Sequence, residues 1–172
     1  MGRPKQLLRL DGRSFLARVA AALAPEVEEV VVLGAGPLPP DAPPLARLDD
    51  VAGLSGPLAG MLAAFRWRPE AAWIFAACDL PLLSPAAAAW LRAQRRARTL
   101  AVLPRCGDRG VEPLFALYEP AARPRLEALA HATDSSLQVL AAQPGVATPE
   151  PPDDLLPAWR NVNTAEDHAA LR

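Results

Sequence analysis

Short runs that are apolar throughout alternate along this chain with longer segments apolar on one side only, and the two periodicities mark out its elements. Residues 14–23 have the spacing of an amphipathic helix with Ser14 at the N-cap, and 30–33 follow as a buried strand. Residues 57–65 predict a helix with proline in its permitted first turn, and 73–77 a second buried strand. Further helix is expected over 85–96, 120–130, 136–142 and 165–171, and further strand over 99–103 and 114–118. The proline-rich stretches 36–44 and 144–157 read as loops, and neither divides the chain, so 1–172 is expected to form a single domain.

Apolar strands that alternate with helices belong in a mostly parallel sheet covered on both faces, an α/β fold of three layers. In such sheets ligands bind beyond the carboxyl ends of the strands, which directs attention to the residues just after each strand.

Composition narrows the classes of function. With 51% hydrophobic residues, a chain of 172 can bury a sizeable core. A net charge of −1, from 18 basic and 19 acidic residues, gives no basic field to hold a nucleic-acid backbone. Cys78 and Cys106 have neither metal-type spacing nor a disulfide framework around them, and are expected as buried or half-buried thiols of a reducing cytosol. The N-terminus has no apolar leader segment, and no apolar run approaches the roughly 18 residues of a membrane span, so a cytoplasmic protein without membrane contact is expected. Among the 18 basic residues only Lys5 is lysine.

Five short segments carry candidate chemistry. Gly2-Arg3-Pro4-Lys5 sets a compact charge beside a rigid proline, suited to a phosphate but equally to a solvated terminus. Asp49-Asp50, then Ser55-Gly56-Pro57-Leu58-Ala59-Gly60, join acidic residues to a glycine that permits close backbone approach and to a helix start with unpaired N–H groups. Cys78-Asp79-Leu80-Pro81 ends a buried strand on a carboxylate, which suits magnesium bridging phosphates or a structural turn. Glu112-Pro113-Leu114-Phe115 places a carboxyl ahead of a strand, facing a cleft or making a surface ion pair. In Asn161-Val162-Asn163-Thr164 the asparagines alternate, so both can share one side of an extended segment, and Thr164 can cap the last helix. His131 and His168 lie in polar helical contexts and are expected at the surface.

In their order, these five segments resemble the molybdenum cofactor guanylyltransferase (MobA-like) family over nearly the whole chain. The resemblance implies a Rossmann-like nucleotidyltransferase fold and transfer of GMP from GTP to molybdopterin, with release of pyrophosphate. It implies that Lys5 and Asp79 are catalytic, that Lys5, Asp49, Gly56, Pro57 and Asp79 bind the nucleotide, and that Asp79 binds magnesium. One slip of register would exchange Asp49 for Asp50. Arg3, Glu112, Asn161 and Asn163 are then candidates for substrate binding, and a molybdoenzyme or its chaperone is an implied partner. Leu33 departs from the family, which often has an asparagine there near the guanine. CTP in place of GTP, a sugar-phosphate substrate, and a noncatalytic binding paralogue are the alternatives. The family's first strand and Leu-Ala-Gly-Gly phosphate loop precede its Met-Gly-Arg-Pro-Lys. The expectation is therefore a sheet with its first strand missing, an unpaired gap or a shifted edge, and poor nucleotide binding by the chain as it stands.

Overall fold

The computed structural model describes residues 4–132 and 135–171. Helix α1 (Phe15–Leu23) starts where the sequence sets it, because the buried Ser14 hydroxyl accepts from the Ala17 amide at 3.2 Å. Ahead of it, β1 (Arg9–Leu10) and β2 (Arg13–Ser14) form a short antiparallel hairpin. Asp11 and Gly12 both take positive φ, 50° and 78°, the backbone that tight hairpins favour. Strand β3 (Val31–Leu33) pairs in parallel with β4 (Ala46–Leu48), whose short, partly charged sequence shows no apolar run. Gly56, at φ 70°, then opens α2 (Pro57–Trp67) with a backbone conformation that L side chains rarely adopt.

Next come β5 (Trp73–Ala76), α3 (Pro85–Ala93), β6 (Ala101–Val102), β7 (Phe115–Tyr118), α4 (Arg123–Ala130), β8 (Val146–Ala147) and α5 (Ala165–Ala169). The expected helix at 136–142 is a 3₁₀ segment, Leu137–Ala142, and β8 lies within a stretch read as loop.

The larger sheet has the order β5-β7-β6-β8, with β7 antiparallel to both neighbours and β6 parallel to β8. The sheet is therefore mixed, which corrects the expectation of a mostly parallel one. The cause is local. Arg105 bridges Val111, and the Cys106 amide donates to Gly110, so the chain returns from β6 as an irregular hairpin and enters β7 antiparallel.

Side chains alternate across this sheet into two cores, which makes three layers. Phe75, Ala116 and Tyr118 face α2 and α4, where Phe65 and Leu126 are buried. Val102, Phe115 and Leu117 face α3 and a fully buried Trp159, whose ring stacks on Phe115 at 4.6 Å and whose Nε1 donates to the Phe115 carbonyl at 2.9 Å. Tyr118 donates to the Pro113 carbonyl, and burial pushes its phenol far above the usual range.

Among the described residues β3 pairs only with β4 and β5 only with β7, so the two sheets are not joined. Between them runs a groove of about 990 Å³, lined by Val31, Leu33, Trp73 and Phe75 from the strands and by Val19 and Met61 from the flanking helices. The expected gap in the sheet is present here, and β3 and most of β5 are consequently only half-buried rather than buried throughout. Unpaired strand edges with apolar flanks favour a further strand. A chain extended upstream of Met1 by an apolar strand of about five or six residues and a glycine-rich loop is expected to melt higher, by about 2–4 °C for each kcal/mol gained. Thermal unfolding followed by tryptophan fluorescence checks this. Equal midpoints for the two chains would show that the groove does not take a strand.

Candidate functional site

The site is assembled at the carboxyl end of β5. Immediately after the strand, Cys78 and Asp79 enter a turn, and the Asp79 carbonyl accepts from the Val162 amide at 2.9 Å. Val162 is fully buried against Leu10 and Phe15, which fixes the 161–163 segment beside the strand end. Lys5 arrives from the other end of the chain on a 3₁₀ turn (Lys5–Leu7) that follows Pro4. Its Nζ donates to Asp79 Oδ2 at 2.7 Å and to Asn163 Oδ1 at 2.6 Å. Three candidate residues far apart in sequence, Lys5, Asp79 and Asn163, thus meet through one ammonium group.

Asp79 is 14% exposed at its side chain, and its second oxygen, Oδ1, is buried with no hydrogen-bond partner. An orphaned buried carboxylate oxygen is costly, and a cation would satisfy it. Among the described residues no group of three or more His, Cys, Asp and Glu side chains is placed to hold a metal. The donor set therefore fits a magnesium-type ion that takes one protein carboxylate and fills its shell from phosphate and water, rather than a closed metal cage.

Two different surfaces flank Asp79. On the β7 side, the Ala77 amide donates to the Leu114 carbonyl at 2.8 Å, which brings the 112–114 segment alongside. Burial raises the pKa of the half-buried Glu112; the Arg109 charge opposes this and the Asp79 charge adds to it. Arg109 Nη1 donates to the Trp159 carbonyl at 3.0 Å and so ties this loop to the chain leading into 161–163. Sequence reasoning missed Arg109, because it stands in an irregular turn without hydrophobic periodicity.

On the β3 side lies the groove, and Gly56, Pro57, Gly60 and Asp50 are at its wall. A Cβ on Gly60 would come within 3.0 Å of Leu33 Cβ and 3.2 Å of Asp50 Oδ1, and one on Gly34, at φ 85°, within 3.4 Å of Asp50 Oδ2. Both glycines make room for the Asp50 carboxylate. Both adjacent aspartates are exposed, and of the two it is Asp50 that lines the groove. In extended chain one residue of register reverses the facing of a side chain, which is why motif matching alone does not decide the pair.

The remaining candidates are placed as follows. Asn161 is half-buried, and the contact with Lys5 belongs to Asn163. Arg3 lies outside the described residues. His131 is exposed as expected, but His168 is not a free surface residue: it packs edge-on against Phe15 at 5.5 Å and bonds to the Arg9 carbonyl. Cys78, on the groove beside Asp79, is raised in pKa by burial and then by the Asp79 charge, and burial pushes the Cys106 thiol up to about 11. Both free cysteines are thus poor thiolate nucleophiles. Among the described residues no helix is long and apolar enough to cross a membrane.

Comparison with known proteins bears on the family and the fold. Residues 1–146 match the MobA-like NTP transferase domain. A molybdenum cofactor guanylyltransferase of Rhizobium meliloti is 37% identical over 97% of this chain and 82% of its own length. The solved molybdopterin-guanine dinucleotide biosynthesis protein A of Archaeoglobus fulgidus superposes with a TM-score of 0.76, covering 99% of this chain and 89% of that one at 21% identity. A Mycobacterium tuberculosis protein solved in complex with manganese superposes at 0.65, covering 99% of this chain and 92% of that one, also at 21% identity. The domain match over most of the chain and the nearly full-length relative establish what the joined strand-end site suggests: the chain belongs to the MobA-like NTP transferase family and shares its nucleotidyltransferase fold.

Proposed function

We propose that this protein is a molybdenum cofactor guanylyltransferase of the cytoplasm, transferring GMP from GTP to the terminal phosphate of molybdopterin. One observation carries the reading: the only lysine, a strand-end aspartate with an orphaned oxygen and a C-terminal asparagine converge between an apolar groove and a second polar surface. The name of the Rhizobium meliloti relative supplies the chemistry.

In the reaction an oxygen of the acceptor phosphate bonds to the α-phosphorus of GTP while the bond from that phosphorus to the bridging oxygen breaks, and both electrons of that bond leave with pyrophosphate. The attacking oxygen is already anionic, so no general base is required. The protein's task is alignment and neutralisation of charge. The groove holds the nucleoside, and Lys5 presents its ammonium to phosphate at the groove's end. Asp79 is the residue to hold magnesium, which when bound neutralises phosphate oxygens. The manganese-bound structural neighbour is in keeping with a divalent cation in this fold. On the opposite flank, Glu112 and Asn163 face the acceptor.

Asp79→Asn removes a charge at nearly constant volume. It is expected to lower magnesium-dependent transfer by roughly 10²-fold or more while the thermal melt is kept. Activity close to the parent's would remove Asp79 from the reaction.

Lys5→Arg keeps the charge but replaces a compact head by a planar fork, and a loss of about tenfold in transfer is expected. If Arg serves equally well, position 5 is only a cation at the terminus.

Base choice falls to Asp50, since Leu33 offers no hydrogen bond. A carboxylate can accept from both the ring N–H and the amino group of guanine, a pattern cytosine does not present. GTP is expected to outcompete CTP for binding, and Asp50→Asn to lose about tenfold in GTP affinity, within the range of one bidentate base contact. Tighter binding of CTP by the parent would instead make the protein a cytidylyltransferase of the same fold, a reading that Leu33 favours.

A further inference from the structure

The last helix, α5, lies outside the cleft, yet it is fastened to both of the chain segments that bring Lys5 and Asn163 together. At its start Thr164 and Asp167 form a reciprocal capping box: Thr164 Oγ1 accepts from the Asp167 amide at 3.0 Å, and Asp167 Oδ2 accepts from the Thr164 amide at 2.9 Å. The same Asp167 oxygen also accepts from the Asn163 amide at 3.0 Å, one residue beyond what the capping box requires. Asn163 is therefore gripped at its backbone by α5 and at its Oδ1 by Lys5. One residue further on, His168 Nε2 lies 2.7 Å from the Arg9 carbonyl oxygen. A carbonyl only accepts, so this nitrogen is the protonated one. The ring packs edge-on against Phe15, at the start of α1. Arg9 opens the hairpin that follows the Lys5 turn, so His168 fastens α5 to the Lys5 arm while Asp167 fastens it to the Asn163 arm.

We infer that Asp167 and His168 are positioning residues: through α5 they hold Asn163, and with it the ammonium of Lys5, in register with Asp79. Hydrogen bonds to charged groups demand defined geometry, and both Lys5 and Asn163 stand on short, irregular segments that fix little by themselves. The hydrogen bonds from the Thr164 and Asn163 amides, in that order of effect, hold the Asp167 carboxyl below the usual carboxylate range, which agrees with its being ionised in this role.

Because Lys5 is the single lysine, its amine can be followed selectively in the whole protein. The experiment is amine labelling with a small acylating reagent, quantified at Lys5 by mass spectrometry, on the parent and on Asp167→Ala, His168→Ala, Asp167→Glu and Ser84→Ala. Ser84 caps α3 and takes no part in the site, so its variant loses a helix cap without touching α5. Asp167→Ala is expected to raise the Lys5 labelling rate about fivefold, the factor that a typical lost cap represents. His168→Ala should raise it in the same direction, and Asp167→Glu, which retains the capping-box chemistry, should restore the parent rate. Ser84→Ala should lower the melting temperature with no change at Lys5. Unchanged labelling in Asp167→Ala, or an equal rise in Ser84→Ala, would overturn the inference and leave α5 a merely structural element. The readout does not depend on which nucleotide or acceptor the protein uses, so its failure and that of the proposed reaction are separately visible.

Discussion

A carboxylate withdrawn from water at the end of a strand has to be compensated, and Asp79 imposes that requirement on most of the site around it. Its nearest charge is Lys5, 74 residues earlier in the chain, and the ammonium is shared with Asn163 near the other terminus. The Asp79 carbonyl takes part too, since it accepts from Val162 and so sets the depth at which 161–163 lies against the strand. The Lys5 side chain is 37% exposed, and such a partly solvated pair adds little to global stability. Its importance is positional. Breaking it leaves a largely buried charge without a partner, a state the fold avoids by holding both terminal segments in place.

The extent to which this was legible in the sequence follows the range of the forces involved. Elements set by local chemistry were read nearly to the residue at their starts: Ser14 caps α1, Gly56-Pro57 starts α2, and α3 begins at Pro85. Elements set by pairing were not. Strands β4 and β8 have two or three residues each and exist because a neighbour offers hydrogen bonds, and the antiparallel β7 follows from the fold-back at 103–114. In the site, Lys5, Asp79 and Asn163 were named as candidates because each lies within a recognisable short motif. Asp50 was not distinguished from Asp49, because only the packing of Gly34 and Gly60 decides which carboxylate enters the groove. His168 was read as surface because its partners, Arg9 and Phe15, are more than 150 positions away.

The open groove and the strand-end cluster divide the labour of the cleft. The groove is bounded by half-buried apolar strand edges and by apolar residues of α1 and α2, and charged side chains such as Glu29, Arg68, Arg92 and Arg95 also line it. Asp50 stands on its wall beside Gly34, and Cys78 in its lining leads directly to Asp79. Under the proposed reading the nucleoside lies against the apolar strand edges and its triphosphate reaches Lys5 and Asp79.

The resting pairing of Lys5 with Asp79 also bears on the order of events under the proposed reading. If the ammonium turns from the carboxylate to a phosphate, Asp79 is left with two uncompensated oxygens, one of them already without a partner. That state is expensive in a site this sheltered unless a cation takes the ammonium's place. Arrival of the triphosphate and arrival of the cation are therefore linked: each lowers the free-energy cost of the other, and by the reciprocity of linkage each tightens the other's binding by the same factor. A lysine suits this exchange better than an arginine would. Its compact head swings on a flexible stem, whereas a bidentate guanidinium would lock onto the carboxylate and hold the site in its resting pairing.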